Sequence, residues 1–172
     1  MPDVRSAYAH AQVIQRQQGA IVWPDFTEAS IHADIDARCL YRVMDGDALV
    51  GVFSIAYDDA AIWGDRERGA HLYLHRIARA QGSQRGGLVA SALTWARAHC
   101  RALERECLRL DTWASNATLI AFYEGQGFRV VDRRRFGVDP RLPSNYHGNE
   151  FALLEEYQVQ QVDDQSPAGA AR

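Results

Sequence analysis

The sequence predicts a mixed α/β fold of α+β character, with a central mixed sheet of about six to seven strands and helices on both faces. Three observations carry this expectation. Runs with a period of two alternate along the chain with runs spaced three and four residues apart. A strand-like run over 70–80 meets a helix-like run over 88–103 through a glycine-containing turn, Gln84-Arg85-Gly86-Gly87-Leu88-Val89. Asp45-Gly46-Asp47 stands between two apolar runs and signals a hairpin.

The elements follow in order. Ser6 can cap a helix reaching Gln18, with Tyr8, Val13 and Ile14 as its apolar stripe and Gly19 as its stop. Trp23-Pro24-Asp25-Phe26 forms a bend, after which Thr27 or Ser30 opens a short helix carrying Ile31 and Ile35. Residues 39–44 and 48–57 are the hairpin strands, and the polar stretch 58–69 is a loop. In the strand over 70–80, Leu72 and Leu74 face one way while His71, Tyr73 and His75 form a polar side. The helix after the glycine turn aligns Val89, Ala92, Leu93, Ala96, Cys100 and Leu103 on one face. A strand over 107–113 follows. Ser115 or Asn116 then caps a short helix that ends by Gly125 or Gly127. Strands over 128–136 and 149–157 complete the sheet, joined by a proline-containing loop.

A length of 172 residues suits one domain, expected over 1–157, and the polar, small-residue stretch 158–172 reads as a disordered tail. The 47% hydrophobic and 24% charged fractions are those of an ordinary globular core and surface. A formal charge of −3 argues against nucleic-acid binding through a broad basic face. No apolar run reaches membrane-spanning length and the first residues lack a signal-peptide core, so no membrane association and a cytoplasmic location are expected. Cys39, Cys100 and Cys107 show no metal-ligand spacing; they are expected as reduced thiols, and no metal is expected.

Strand, tight turn and helix start together expose backbone N–H groups at the positive end of a helix dipole, which suits a phosphate or diphosphate. Neither a Gly-x-x-x-x-Gly-Lys-Ser/Thr loop nor a Gly-x-Gly-x-x-Gly after a first strand is present, which disfavours P-loop nucleotidases and Rossmann dehydrogenases.

The turn Gln84–Val89, followed by Asn116, Phe122-Tyr123 and Gly127-Phe128, resembles the GNAT-type N-acetyltransferase superfamily, most strongly between Leu74 and Phe128. That family's signature is Arg/Gln-x-x-Gly-x-Gly/Ala, and Val89 departs from it at the last position. The resemblance implies a GNAT-like sheet and transfer of an acetyl group from acetyl-CoA to a primary amine. It assigns acetyl-CoA binding to Gln84, Arg85, Gly86, Gly87, Leu88 and Val89, to the strand edge at Ile77, Ala78 and Arg79, and to Asn116 and Tyr123. Tyr123 is the expected general acid, because a phenol with a pKa of about 10 is protonated at neutral pH.

The base is open among His71, Tyr73, His75 and Asp111. The resemblance also implies an acceptor site at the bend and the loop before the last strand, which here hold Trp23, Asp25 and Phe26, then Asn145, Tyr146 and His147; His75 and Asp111 are further candidates for it. An aromatic pair with a carboxylate suits a small cationic amine. Arg133-Arg134-Arg135 reads as a solvated strand edge, with the cofactor's 3′-phosphate or an acidic partner as alternative ligands. A small-molecule amine is the expected acceptor. A protein N-terminus or lysine, and a non-catalytic acyl-CoA sensor, are the alternatives, and self-association as a homodimer stays open.

Overall fold

A computed structural model describes residues 2–158. Its first helix, α1 (Pro2–Gln17), starts four residues ahead of the expected Ser6 cap. Proline at the first helical position has φ preset and no N–H to leave unpaired, and Asp3 complements the dipole. Starting there rotates the buried stripe to Val4, Ala7 and Tyr8, and Val13 faces outward. The helix α2 (Glu28–Asp36) is capped by Thr27, whose side chain accepts from the Ser30 amide at 3.1 Å. The hairpin consists of β1 (Leu40–Asp45) and β2 (Ala48–Ala56).

The expected loop over 58–69 contains a helical turn, α3 (Ala60–Trp63), and a 3₁₀ turn (Gly64–Arg66), which drive Ile62 and Trp63 into the core. Then come β3 (His71–Arg79), α4 (Leu88–Ala102), β4 (Cys107–Trp113), α5 (Ala117–Gly125), β5 (Arg129–Arg135), a 3₁₀ turn (Ser144–Tyr146) and β6 (Glu150–Tyr157). Gln158 is tied down by its amide to the Glu106 carbonyl at 2.9 Å; the rest of the expected tail lies outside the described residues.

Among the described residues the sheet has six strands in the order β1-β2-β3-β4-β6-β5, with β3–β4 the parallel pair and the others antiparallel. Helices α4 and α5 cover one face through Leu72, Leu74, Leu93, Leu108 and Tyr123. On the other face α1 and α2 pack on Val52 and Ala78, and α3 and the loop before β6 pack on Tyr73 and Leu153. The expected polar side of β3 is therefore a second buried face. His71 and Tyr73 are buried there, and Tyr73 meets Trp63 at 5.7 Å.

Two irregularities in β3 set up everything that follows. Its pairing with β4 covers only His71–Tyr73 against Cys107–Arg109, after which the strands part while β4 stays paired with β6 out to Trp113. Its pairing with β2 contains a bulge: Val52 faces Ala78 but Ser54 faces His75, so β3 holds one extra residue. Arg76 takes that position at φ 51, a left-handed conformation costing a non-glycine residue roughly 1–2 kcal/mol. Its side chain holds it there. Nε donates to Ser54 Oγ at 2.8 Å, Nη1 meets Asp34 Oδ2 at 2.8 Å, and the guanidinium lies over the rings of Tyr8 and Phe26.

Candidate active site

Where β3 and β4 part, a cavity of about 440 Å³ runs between them and joins the two faces of the sheet. On the α4–α5 side its wall includes Leu88, Val89, Asn116, Leu119 and Tyr123; on the other it includes Ile14, Gln15, Trp23, Asn145 and Tyr146. His75 and Asp111 line it from the two diverging strands.

The turn into α4 is exposed from Gln84 to Gly87. Gly87, the residue before the helix, has φ 81, which glycine adopts without a Cβ clash. Helix geometry leaves the amides of Leu88, Val89 and Ala90 without intrahelical acceptors, and among the described residues no backbone carbonyl accepts from the amides of 84–90. A Cβ on Gly86 or Gly87 would meet no atom within 4 Å, so the space before these amides is open. Arg79 braces the turn by donating to the Arg85 carbonyl, and Arg85 pairs with Asp45. This is a cradle that could hold a diphosphate.

The edge of β3 beyond Tyr73 has lost its β4 partner, and Ile77, Ala78 and Arg79 all line the cavity. The Ala80 amide bonds to Val50 on the β2 side, so strand alternation turns the N–H and C=O of Arg79 to the gap, where an amide-bearing chain could pair with them. Asn116 both caps and lines: its Oδ1 accepts from the Leu119 amide at 3.0 Å, leaving its NH₂ to donate into the cavity.

Tyr123 is 8% exposed, and its ring packs edge-on against Phe122 at 5.4 Å and Phe128 at 5.8 Å. Among the described residues its hydroxyl has no hydrogen-bond partner. Burial, and behind it the charge of Asp111, push its pKa up to about 12. The same interior lifts the buried thiols of Cys100 and Cys107 to about 12 and about 11, chiefly through desolvation.

Across the gap, His75 Nδ1 lies 3.7 Å from Asp111 Oδ1 and Nε2 lies 3.2 Å from Asp59 Oδ2. Tyr146 donates to Asp111 Oδ2 at 2.8 Å. Burial by itself would lower the His75 pKa, but Asp59 and then Asp111 outweigh it and raise the value above the ordinary histidine range. Burial raises Asp111, with His75 and Tyr146 opposing. Two carboxylates thus flank one imidazole beside the cavity. That arrangement attracts a cation.

The other expected acceptor residues are dispersed. Trp23 lines the cavity, held by its amide on Gln15 Oε1 at 2.9 Å. Phe26 packs on Tyr8 at 4.4 Å under Arg76, and His147 bonds to the Asp139 carbonyl at 2.9 Å; neither is among the lining residues. Gln84, Arg85, Gly86 and Gly87 sit at the cradle outside the cavity lining. Of the other base candidates, His71 is buried without a partner on either ring nitrogen, and Tyr73 is bound up with Glu67 and Arg109. In the arginine run, Arg133 and Arg134 bond to the carbonyls of Ala114 and Ile62, and Arg135 is exposed on the edge strand β5. Sequence reasoning did not find Asp59, whose approach to His75 depends on the unread turn of α3, nor the α1 wall of Ile14 and Gln15. The glutamines of α1 carry the one signal available, since Gln12 and Gln15 fasten the bend at Trp23–Asp25.

The sequence profile of the Acetyltransferase (GNAT) family matches residues 8–128. A curated relative, described as the uncharacterized N-acetyltransferase YesJ of Bacillus subtilis (strain 168), is 34% identical over 98 residues, 57% of this chain. The match spans 50% of that relative's length. Among solved structures, Ard1 from Thermoplasma volcanium superposes with a TM-score of 0.64 at 16% identity, covering 92% of this chain and 93% of that one. The ribosomal-protein-S18-alanine N-acetyltransferase from Escherichia coli gives 0.58 at 16%, covering 91% of each chain. A Bacillus subtilis acetyltransferase in complex with CoA gives 0.56 at 16%, covering 77% and 85%. At these identities the structural likeness concerns the fold alone.

Proposed function

Because the chain belongs to the GNAT acetyltransferase family, we propose that it moves an acetyl group from acetyl-CoA to the primary amine of a small molecule. The observation that carries this reading is the cavity between β3 and β4. It has an anion cradle on one side of the sheet, a carboxylate–imidazole cluster on the other, and Tyr123 between them. When bound, acetyl-CoA supplies the activated acyl group. The amides of 85–90 hold its diphosphate, and the free edge at Ile77–Arg79 together with Asn116 aligns the pantetheine arm.

Tyr123 then serves the leaving group. Its O–H donates a proton to the departing sulfur, and the phenolate recovers a proton from the nitrogen once the N–C bond has formed. A phenol of pKa about 12 is a poor acid toward a thiolate in water. In this interior desolvation disfavours a thiolate as it does a phenolate, as the raised pKa values of the buried Cys100 and Cys107 illustrate, so the proton transfer is less uphill than it would be in water.

The small-molecule acceptor is supported by the aromatic and aliphatic wall on the far side. Trp23, Ile14, Tyr146 and Phe151 wall the cavity beside Asp111 and His75, a shape suited to one cationic group on a modest apolar body. The test is release of free CoA from acetyl-CoA with amines such as phenethylamine and spermidine, and with a peptide bearing a free N-terminus and a lysine. Turnover of the small amines alone is expected. Turnover of the peptide alone would reverse the substrate class, and tight acetyl-CoA binding without release for any acceptor would mark a sensor.

A further inference from the structure

We infer that Asp111, His75 and Asp59 form the path by which the acceptor's surplus proton leaves the cavity, with Asp59 its outer end. This rests on the amine-acetylating reading. An ammonium that becomes an amide sheds two protons. Tyr123 accounts for one, which reaches the sulfur; the other has to leave the cavity.

The geometry supplies the crossing. Asp111 lines the cavity with its side chain 5% exposed, and His75 stands between it and Asp59 with one ring nitrogen turned to each. Asp59 lies just ahead of α3, its side chain is 14% exposed, and it is not part of the cavity wall. The step balances as follows. An N–H bond of the ammonium breaks to an Asp111 oxygen and leaves its electron pair on nitrogen for attack. With the imidazole neutral and its one proton on Nε2, Nδ1 takes the proton held by Asp111 while the Nε2 proton passes to Asp59, and Asp59 returns it to water. The 3.7 Å span between Asp111 and Nδ1 is of the kind that tightens when a substrate fills a site.

The surroundings favour this direction of travel. Tyr146 holds Asp111 Oδ2 and leaves Oδ1 to face the imidazole. The charged and titratable groups facing His75 are Asp59 before α3, Asp111 on β4, Tyr146 before β6 and its neighbours on β3, Arg76 and Tyr73, the latter stacked at 6.4 Å. Arg76 opposes protonation of the ring, but its guanidinium is committed to Asp34 and Ser54. Among the described residues Asp59 Oδ2 accepts no hydrogen bond and pairs with His75 alone, at 3.2 Å, and its carboxylate makes no capping bond to α3, so replacing it removes a proton acceptor without removing a helix cap.

Two measurements on the full chain test this. In the first, histidine-labelled protein is titrated by NMR, with His75→Gln assigning the signal. His75 is expected to titrate above the ordinary histidine range and to move down in Asp59→Asn; no movement in Asp59→Asn overturns the path. In the second, kcat and KM are measured with phenethylamine and with its β,β-difluoro analogue, whose ammonium is more acidic. Asp59→Asn is expected to lower kcat for phenethylamine at pH 7 by about 10-fold or more, with KM nearly unchanged. The loss should shrink as pH rises to 9 and vanish for the difluoro amine, which arrives already neutral. A loss that is the same at every pH and for both amines overturns the path alone. If the wild-type protein releases no CoA with any amine, the acetylation reading falls and the path falls with it.

Discussion

Replacing Tyr123 by phenylalanine isolates one O–H group almost without touching the fold. The hydroxyl has no protein partner to lose, while the edge-on contacts with Phe122 and Phe128 belong to the ring that phenylalanine keeps. The cost in stability should therefore stay below about 1 kcal/mol, and the melting temperature should move by only a few degrees. If the phenol protonates the departing sulfur, its loss should lower kcat by about 10²–10³-fold, or about 3–4 kcal/mol of barrier, with little change in acetyl-CoA binding. Because its pKa is about 12, wild-type kcat should show no alkaline fall from this group between about pH 6 and pH 10. Free CoA can be followed with a disulfide chromogen. Cys100 and Cys107 are buried with raised pKa values and should stay silent, so the protein's own background comes from the half-buried Cys39. A Tyr123→Phe enzyme with wild-type kcat at every pH would refute the assignment.

Three further outcomes are expected. Gly87→Ala should cost about 1 kcal/mol, because φ 81 strains any Cβ, and should weaken CoA binding measured by calorimetry several-fold by disturbing the amides of the cradle. At the bulge, Arg76→Gly should melt higher than Arg76→Ala by about 1 kcal/mol, reversing the usual strand ranking, since both lose the anchor to Asp34 but only alanine keeps the strain of φ 51. His71 is buried, and desolvation and then Arg109 hold its pKa below the ordinary value. The unfolded chain binds that proton at about pH 6.5, so the stability from neutral His71 is complete above that pH and is lost as pH falls through the lower folded value. Urea midpoints should drop between pH 7 and pH 5, and less steeply in His71→Leu.

How much of this was legible in the sequence depended on how local each cause was. The strand Cys107–Trp113 and the Asn116 cap are set by adjacent residues; pattern reading found the strand and narrowed the cap to Ser115 or Asn116. The buried face of α4 was found but for its ends: Leu88 joins the core, and Leu103 stands 42% exposed just past the last turn. The short turn carrying Ile62 and Trp63 was missed because four residues show no helical period, and its burial comes from Tyr73 on the next strand and from Phe136, far along the chain. The same ignorance hid Asp59. Tyr73 and His75 were read as a polar side of their strand, and alternation reports which residues share a face and not whether anything covers it.

The bulge was the least legible feature, and the site depends on it. A side-chain period of two should put Ala78 on the face of Leu72 and Leu74, yet Ala78 packs with Val52 under α1. The extra residue at Arg76 has switched the parity of the strand. Without the switch, Ala78 would point to the α4 side, and α1 would lose one of the two buried sheet residues that pack with Val4, Ala7 and Tyr8. Glycine on the neighbouring strand accommodates the distortion: a Cβ on Gly51 would lie 2.5 Å from the Ala78 carbonyl and 2.7 Å from Leu88. The same bend coincides with the parting of β3 from β4, and so with the cavity itself. The anchor of the bulge, Asp34, belongs to the helix that follows the Trp23–Phe26 bend, so that bend and the strand edge at Ile77–Arg79 are held by one side chain. Loosening Arg76 should therefore disturb recognition of both substrates together, whereas Tyr123→Phe and Asp59→Asn should leave binding intact and slow the transfer.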